Sequence, residues 1–116
     1  MFISMKLQPK PFNAIKNGKK TIEMRLWDEK RKHITVGDTI EFVNIKDPKQ
    51  IILTKVVGVH VYPTFKELYR DYRKEELGYT SDEVADPKDM EQFYPLSEQE
   101  KFCVVGLEIR VTDENL

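Results

Sequence analysis

The chain is short of almost everything that marks the common cofactor and metal enzymes. Its one cysteine, Cys103, rules out an internal disulfide and a cysteine metal cluster. The setting Phe102-Cys103-Val104-Val105 predicts a buried, inert thiol. No apolar run approaches the roughly 20 residues that cross a bilayer, and Met1-Phe2-Ile3-Ser4-Met5-Lys6 lacks the charged-then-apolar plan of a secretory signal. A cytoplasmic location without membrane contact is the expectation. There is no P-loop, dinucleotide fingerprint, zinc spacing or nucleophile elbow, so neither cofactor nor metal is expected. Net charge is only -1, which argues against indiscriminate coating of nucleic acid.

What is present is one domain's worth of ordinary globular sequence, 116 residues with 40% hydrophobic and 34% charged. A single domain over 1–116 is expected. The charge is unevenly spread. Residues 1–33 hold nine Lys or Arg against three acids, and residues 64–101 hold eleven acids against six bases. Such a molecule either turns a basic face to phosphates or lets its two halves attract each other.

Along the chain, Phe2 to Leu7 alternates as a strand, closed by Gln8-Pro9-Lys10-Pro11. Pro11 suits the first turn of a short helix with Phe12 and Ile15 inward and Asn17-Gly18 as its stop. A strand over Lys20–Leu26 follows, then a polar, aperiodic stretch from Trp27 to His33 read as exposed loop. Thr39 to Val43 and Gln50 to Tyr62 read as strands, with a bend or bulge at Gly58 and a satisfied structural role for His60. Thr64-Phe65-Lys66-Glu67 is a capping box. From it, Phe65, Leu68, Tyr69 and Tyr72 recur at helical spacing toward Gly78, an aromatic stripe read as core packing. Residues 79–94 are acidic and predict one or two short helices starting at Ser81 and Asp86-Pro87, ended by Tyr94-Pro95. A last strand is expected over Lys101–Val111, with a frayed tail after it.

Gly18-Lys19-Lys20-Thr21-Ile22-Glu23-Met24-Arg25 is where chemistry concentrates. In an extended segment Ile22, Met24 and Leu26 share one face while Thr21, Glu23, Arg25 and Trp27 share the other, so one face is core and the other a charged surface. Lys20 has the parity of the apolar face, but a bend after Gly18 would aim its amine at Glu23. The competing reading is a solvated edge strand whose Glu23 and Arg25 pair weakly.

Gly18-x-Lys20-x-x-Glu23-x-Arg25 resembles the G-x-K-x-x-E-x-R signature of the ASCH domain, the activating signal cointegrator homology group of the PUA-like superfamily, in its small stand-alone bacterial type. Pro11-Phe12-x-x-Ile15 and Val36-Gly37-Asp38-x-Ile40 extend the likeness. The resemblance implies an α+β fold, a PUA-like mixed β-barrel of about five strands with a helix after the first and a helical insertion, placed here at 64–95, before the last. It also implies binding of RNA or a modified nucleoside. One bacterial branch hydrolyses N4-acetylcytidine with a lysine base, a threonine nucleophile and a glutamate proton donor. Lys20 matches the lysine, Glu23 occupies the threonine's place with Thr21 nearby, and Glu75 or Glu76 falls near the donor.

Three functions follow for test. A binding module would use Glu23 to accept from an exocyclic amine, Lys20 and Arg25 to hold phosphate or carbonyl oxygen, Trp27 or Tyr94 to stack, and Gly18 to open the strand. An amidohydrolase would use Lys20, Glu23 and Glu76. A protein interaction domain would instead expose an apolar patch, around Trp27 or the helical insertion, and lock the signature cluster in internal ion pairs. Monomer and weak dimer are both left open.

Overall fold

The computed structural model describes residues 1–112. The expected frayed tail lies outside them apart from Thr112. Five strands form: β1 (Phe2–Leu7), β2 (Ile22–Leu26), β3 (Thr39–Asn44), β4 (Ile51–Tyr62) and β5 (Val104–Val111). They make one sheet in the order β1-β3-β4-β5-β2, a curled half-barrel of the α+β kind. Only β1 and β3 run parallel; the other three pairings are antiparallel. β1 and β2 are therefore the free edges, and the sheet is open between them.

Helix α1 (Pro9–Lys16) starts two residues before Pro11, because Pro9 already carries the fixed φ of a first helical position and needs no amide partner. Phe12 and Ile15 are its buried face, and Gly18 at φ 76 turns the chain into β2. In β4 the ladder slips between Val56 and Gly58, the bulge that Gly58 predicts. A Cβ at Gly58 would stand 2.6 Å from His60 Nε2 and 2.7 Å from Glu108 Oε1, the ends of two half-exposed side chains that would have to move aside. His60 is half-exposed rather than set among apolar groups, and it pairs with Glu108 at 3.1 Å.

The sheet carries a core on each side. One gathers Phe12, Ile15, Ile40, Phe42, Val105 and Leu107; the other gathers Ile22, Met24, Leu26, Phe65, Leu68 and Val104. Each fully buried Phe, Leu or Ile stabilises the fold by about 2 kcal/mol through the apolar surface it removes from water. Trp27 is half-buried against the first core, a lid over the strand end rather than an exposed ring. Cys103 is likewise half-buried, not buried, and stands at φ 65 where the chain enters β5.

The helical region departs most from the sequence reading. Helix α2 (Phe65–Asp71) ends seven residues before Gly78. The Glu67 carboxylate accepts from the Thr64 amide at 3.1 Å and takes the Thr64 hydroxyl, as a capping box should. At Tyr72, however, the backbone turns extended, and its hydroxyl meets that of Tyr62 at 3.1 Å, while the Tyr62 proton goes to Asp71 Oδ2 at 2.7 Å. A tertiary partner outweighs the helical spacing. Residues 74–78 form turns, entered where the Glu76 carboxylate accepts from the Arg73 amide at 3.0 Å. No helix begins at Ser81; Asp86 caps a 3-10 helix, Pro87–Gln92, by accepting from the Lys88 amide at 2.9 Å. Pro95 does not end the helical region but opens helix α3 (Leu96–Phe102), so the insertion runs past 95 and β5 starts at Val104 instead of Lys101. Glu98 in the first turn and Lys101 in the last were its legible signals.

Helix α3 earns its place through Gln99, which is 2% exposed. Its Oε1 accepts from the Phe65 amide at 3.1 Å and its Nε2 donates to the Tyr94 carbonyl at 2.8 Å. One side chain thus ties α2, Tyr94 and α3 together. Gln99→Ala leaves a buried donor and a buried acceptor unpaired and is expected to cost about 2 kcal/mol, read as a lowered urea midpoint at unchanged slope.

Candidate functional site

Register decides what the signature residues face. Glu23 lies opposite Leu107 and Arg25 opposite Val105, so both point to the side of the sheet that holds the first core. Ile22, Met24 and Leu26 point to the other core. The expected charged surface is therefore covered: Glu23 is 3% exposed and Lys20 8%. The solvated edge strand is corrected in the same way, because β2 is an edge whose polar face lines the open seam of the half-barrel.

At that seam Glu23 stands between two cations. Arg25 Nε donates to Glu23 Oε2 at 2.6 Å, and Lys20 Nζ lies 2.8 Å from Oε1. Each oxygen of the carboxylate thus faces its own cation, and Oε1 is fully buried. Burial, the largest influence, would raise the Glu23 pKa; the charges of Lys20 and Arg25 together outweigh it and leave it below the usual 4.5. For Arg25, burial would lower the pKa, but Glu23 and then Tyr94 hold it raised. Arg25 Nη2 also reaches the Lys6 carbonyl at 3.3 Å, a bridge from edge strand β2 to edge strand β1.

These groups line a cleft of about 510 Å³, within the size that small-molecule sites occupy. Lys6, Leu7 and Lys10 form one side. Tyr69 of α2 and Tyr79, Asp89 and Tyr94 of the acidic segment form the other. Lys10 Nζ meets Glu83 Oε2 at 2.6 Å across the rim, and together with Thr80, whose amide donates to Glu83 Oε1 at 2.7 Å, it holds the Glu83 pKa down to about 2. The two oppositely charged parts of the chain thus attract each other over the cleft. Tyr94 is fixed by its ring on Phe65, centroids 6.0 Å apart, and by its carbonyl on Gln99.

Of the residues singled out from sequence, Lys20, Glu23, Arg25 and Tyr94 line this cleft. Gly18 and Glu76 line a second pocket of about 500 Å³ with Thr21, which Lys20 also borders. There the Glu76 carbonyl accepts from the Thr21 and Ile22 amides at 3.0 Å, so this residue docks β2. Trp27 packs against the core, and Glu75 lines neither pocket. No serine, threonine or cysteine among the described residues lines the main cleft. Nor do the described residues group three His, Cys, Asp or Glu that could hold a metal ion. No described helix is long and apolar enough to cross a membrane.

Sequence reasoning missed Tyr69, Tyr79 and Gly78 at this site. The tyrosines sit at helical spacing or in an acidic run, patterns that read as core or surface. Gly78 has φ 103, and a Cβ there would stand 3.1 Å from Lys20 Cδ. Its glycine both permits the left-handed turn and leaves room for the lysine stem.

A family model for the ASCH domain matches residues 5–114. The chain is similar to the hypothetical protein PH0355, at 36% identity and a TM-score of 0.77 over 97% of this chain and 100% of that one. It is similar to protein PF0455 from Pyrococcus furiosus at 32% identity, TM-score 0.69, over 97% and 99%. The ASCH protein of Zymomonas mobilis shares the fold at 18% identity and TM-score 0.62, over 92% of this chain and 65% of that one. Among curated proteins none matches.

Two outcomes follow from the buried triad. Since the folded Glu23 pKa lies below the unfolded one, its stabilisation is complete above pH 4.5 and drains away as pH falls toward the folded value. Glu23→Gln should lose about 3 kcal/mol at neutral pH, leaving two cations without their counter-ion, and should show a shallower acid limb below pH 4.5 in denaturation midpoints. Gly78→Ala should cost about 1 kcal/mol for the left-handed backbone and displace Lys20, seen as shifted Lys20 side-chain resonances.

Proposed function

The chain belongs to the ASCH domain family, and from that premise we propose that the cleft binds one nucleobase bearing an exocyclic amine, as a nucleoside or as an unstacked base of RNA. The family is PUA-like, with RNA binding proposed for it. The feature that supports the finer reading best is Glu23 itself, an ionised carboxylate that lines the cleft between Lys20 and Arg25. An ionised carboxylate only accepts, so its complement is an N–H donor. A cytosine amine is such a donor, and an ammonium beside it suits the ring nitrogen and carbonyl that flank the amine in cytosine. Tyr94, Tyr79 and Tyr69 supply aromatic surface on the same cleft.

The same geometry weighs against hydrolysis. Lys20 is 2.8 Å from the Glu23 carboxylate, and a Glu23 with a lowered pKa is a poor proton donor. The hydroxyl of Thr21 belongs to the other pocket. Binding asks each residue only for what its ionisation state already provides.

Labelled protein titrated with cytidine and with N4-acetylcytidine tests this reading by proton-nitrogen NMR. Expected are shifts at Ile22–Leu26, Tyr69, Tyr79 and Tyr94, and at least tenfold weaker binding by folded Glu23→Gln, the worth of one hydrogen bond to a charged acceptor. Silence from both nucleosides and from single-stranded RNA oligomers at low salt would overturn it. Free acetate growing in the N4-acetylcytidine tube would replace binding by hydrolysis.

A further inference from the structure

One polar chain on the cleft wall is used by nothing described so far. The Tyr79 hydroxyl lies 2.8 Å from Asp89 Oδ2, 2.9 Å from the Tyr69 hydroxyl and 3.4 Å from the Asp86 carbonyl. All of Tyr69, Tyr79 and Asp89 line the cleft. A phenol carries one proton, and a carboxylate is a stronger acceptor than a neutral oxygen. The Tyr79 proton therefore goes to Asp89. The 2.9 Å contact between the two phenols then requires the Tyr69 proton, so Tyr69 donates to Tyr79. With its one proton spent, Tyr69 Oη has only lone pairs left, and it makes no other hydrogen bond among the described residues.

We propose that the Asp89–Tyr79 relay fixes Tyr69 as a hydrogen-bond acceptor on the cleft wall, so that the site selects bases presenting an amine over bases presenting a carbonyl at the same edge. Asp89 and Tyr79 are positioning residues, and Tyr69 is the group that touches the ligand. The inference rests on the nucleobase reading above and adds its specificity. The Glu23 carboxylate and Tyr69 Oη are then both acceptors on one cleft, contributed by β2 and α2. A pyrimidine carbonyl meets lone pairs in this arrangement, whereas an amine meets partners. Burial, the largest cause, raises the pKa of both phenols, which keeps the two protons in place at neutral pH.

Cytidine and uridine differ at this edge by amine against carbonyl, which makes their affinity ratio the readout. Wild type is expected to favour cytidine by tenfold or more. Tyr79→Phe removes the acceptor of the Tyr69 proton, freeing Tyr69 to donate, and should lower the ratio about tenfold, chiefly by improving uridine binding. Asp89→Ala, at an exposed position where folding is not at stake, should lower it in the same direction. A purely structural role would weaken both nucleosides alike and leave the ratio unmoved. Binding of cytidine by wild type with a ratio unchanged in both folded variants overturns the relay while leaving the nucleobase reading intact. Absence of binding to either nucleoside overturns both.

Discussion

A carboxylate taken out of water has to be matched by charge, and this fold is arranged around one such match. Glu23 lies at the open seam of the sheet on the side of Val105 and Leu107, a place that would otherwise take an apolar side chain. Its ionisation there is sustained by Lys20 at 2.8 Å and Arg25 at 2.6 Å. Burying such ions costs several kcal/mol each and is recovered only with good geometry, so an ion triad is a poor way to gain stability. Its presence on the wall of a cleft points to use, not to structural economy.

The seam explains why the site is where it is. Strands β1 and β2 are the two edges of the half-barrel and exchange no ladder hydrogen bonds. What crosses between them is the Arg25 guanidinium, reaching the Lys6 carbonyl. Edge strands left bare invite pairing with another chain. Here the gap is occupied by polar side chains and roofed by the acidic segment, clasped through Lys10 and Glu83. The same residues that deal with an unfinished barrel thereby line a cleft with fixed donors and acceptors. Lys20 depends on Gly78, and Tyr94 on Gln99, so the acidic segment positions the site as well as covering it.

Much of this was legible in one dimension. Alternation marked β1, β3 and β4, Gly58 marked the bulge, and the spacing of Gly18, Lys20, Glu23 and Arg25 marked the family, with the last three on the cleft wall. The helical region was legible only in part. Tyr72 continues a helical stripe in sequence, yet the chain leaves the helix there and the Tyr62 hydroxyl bonds to its own. Pro95 reads as a stop and acts as a start, because α3 has a buried Gln99 to satisfy two neighbours at once. Trp27, an attractive stacking ring on paper, was claimed by the core.

Local sequence therefore determined the strands, the caps and the identity of the charged residues, since period, turn chemistry and side-chain type act over a few neighbours. Tertiary structure alone decided burial and pairing. A strand pattern states that Glu23 and Arg25 share a face, but whether that face meets water depends on the partner across the ladder and on what covers the edge. Here a chain segment some sixty residues away closes the cleft over Glu23, and that long-range covering turns a charged strand into the wall of a cleft.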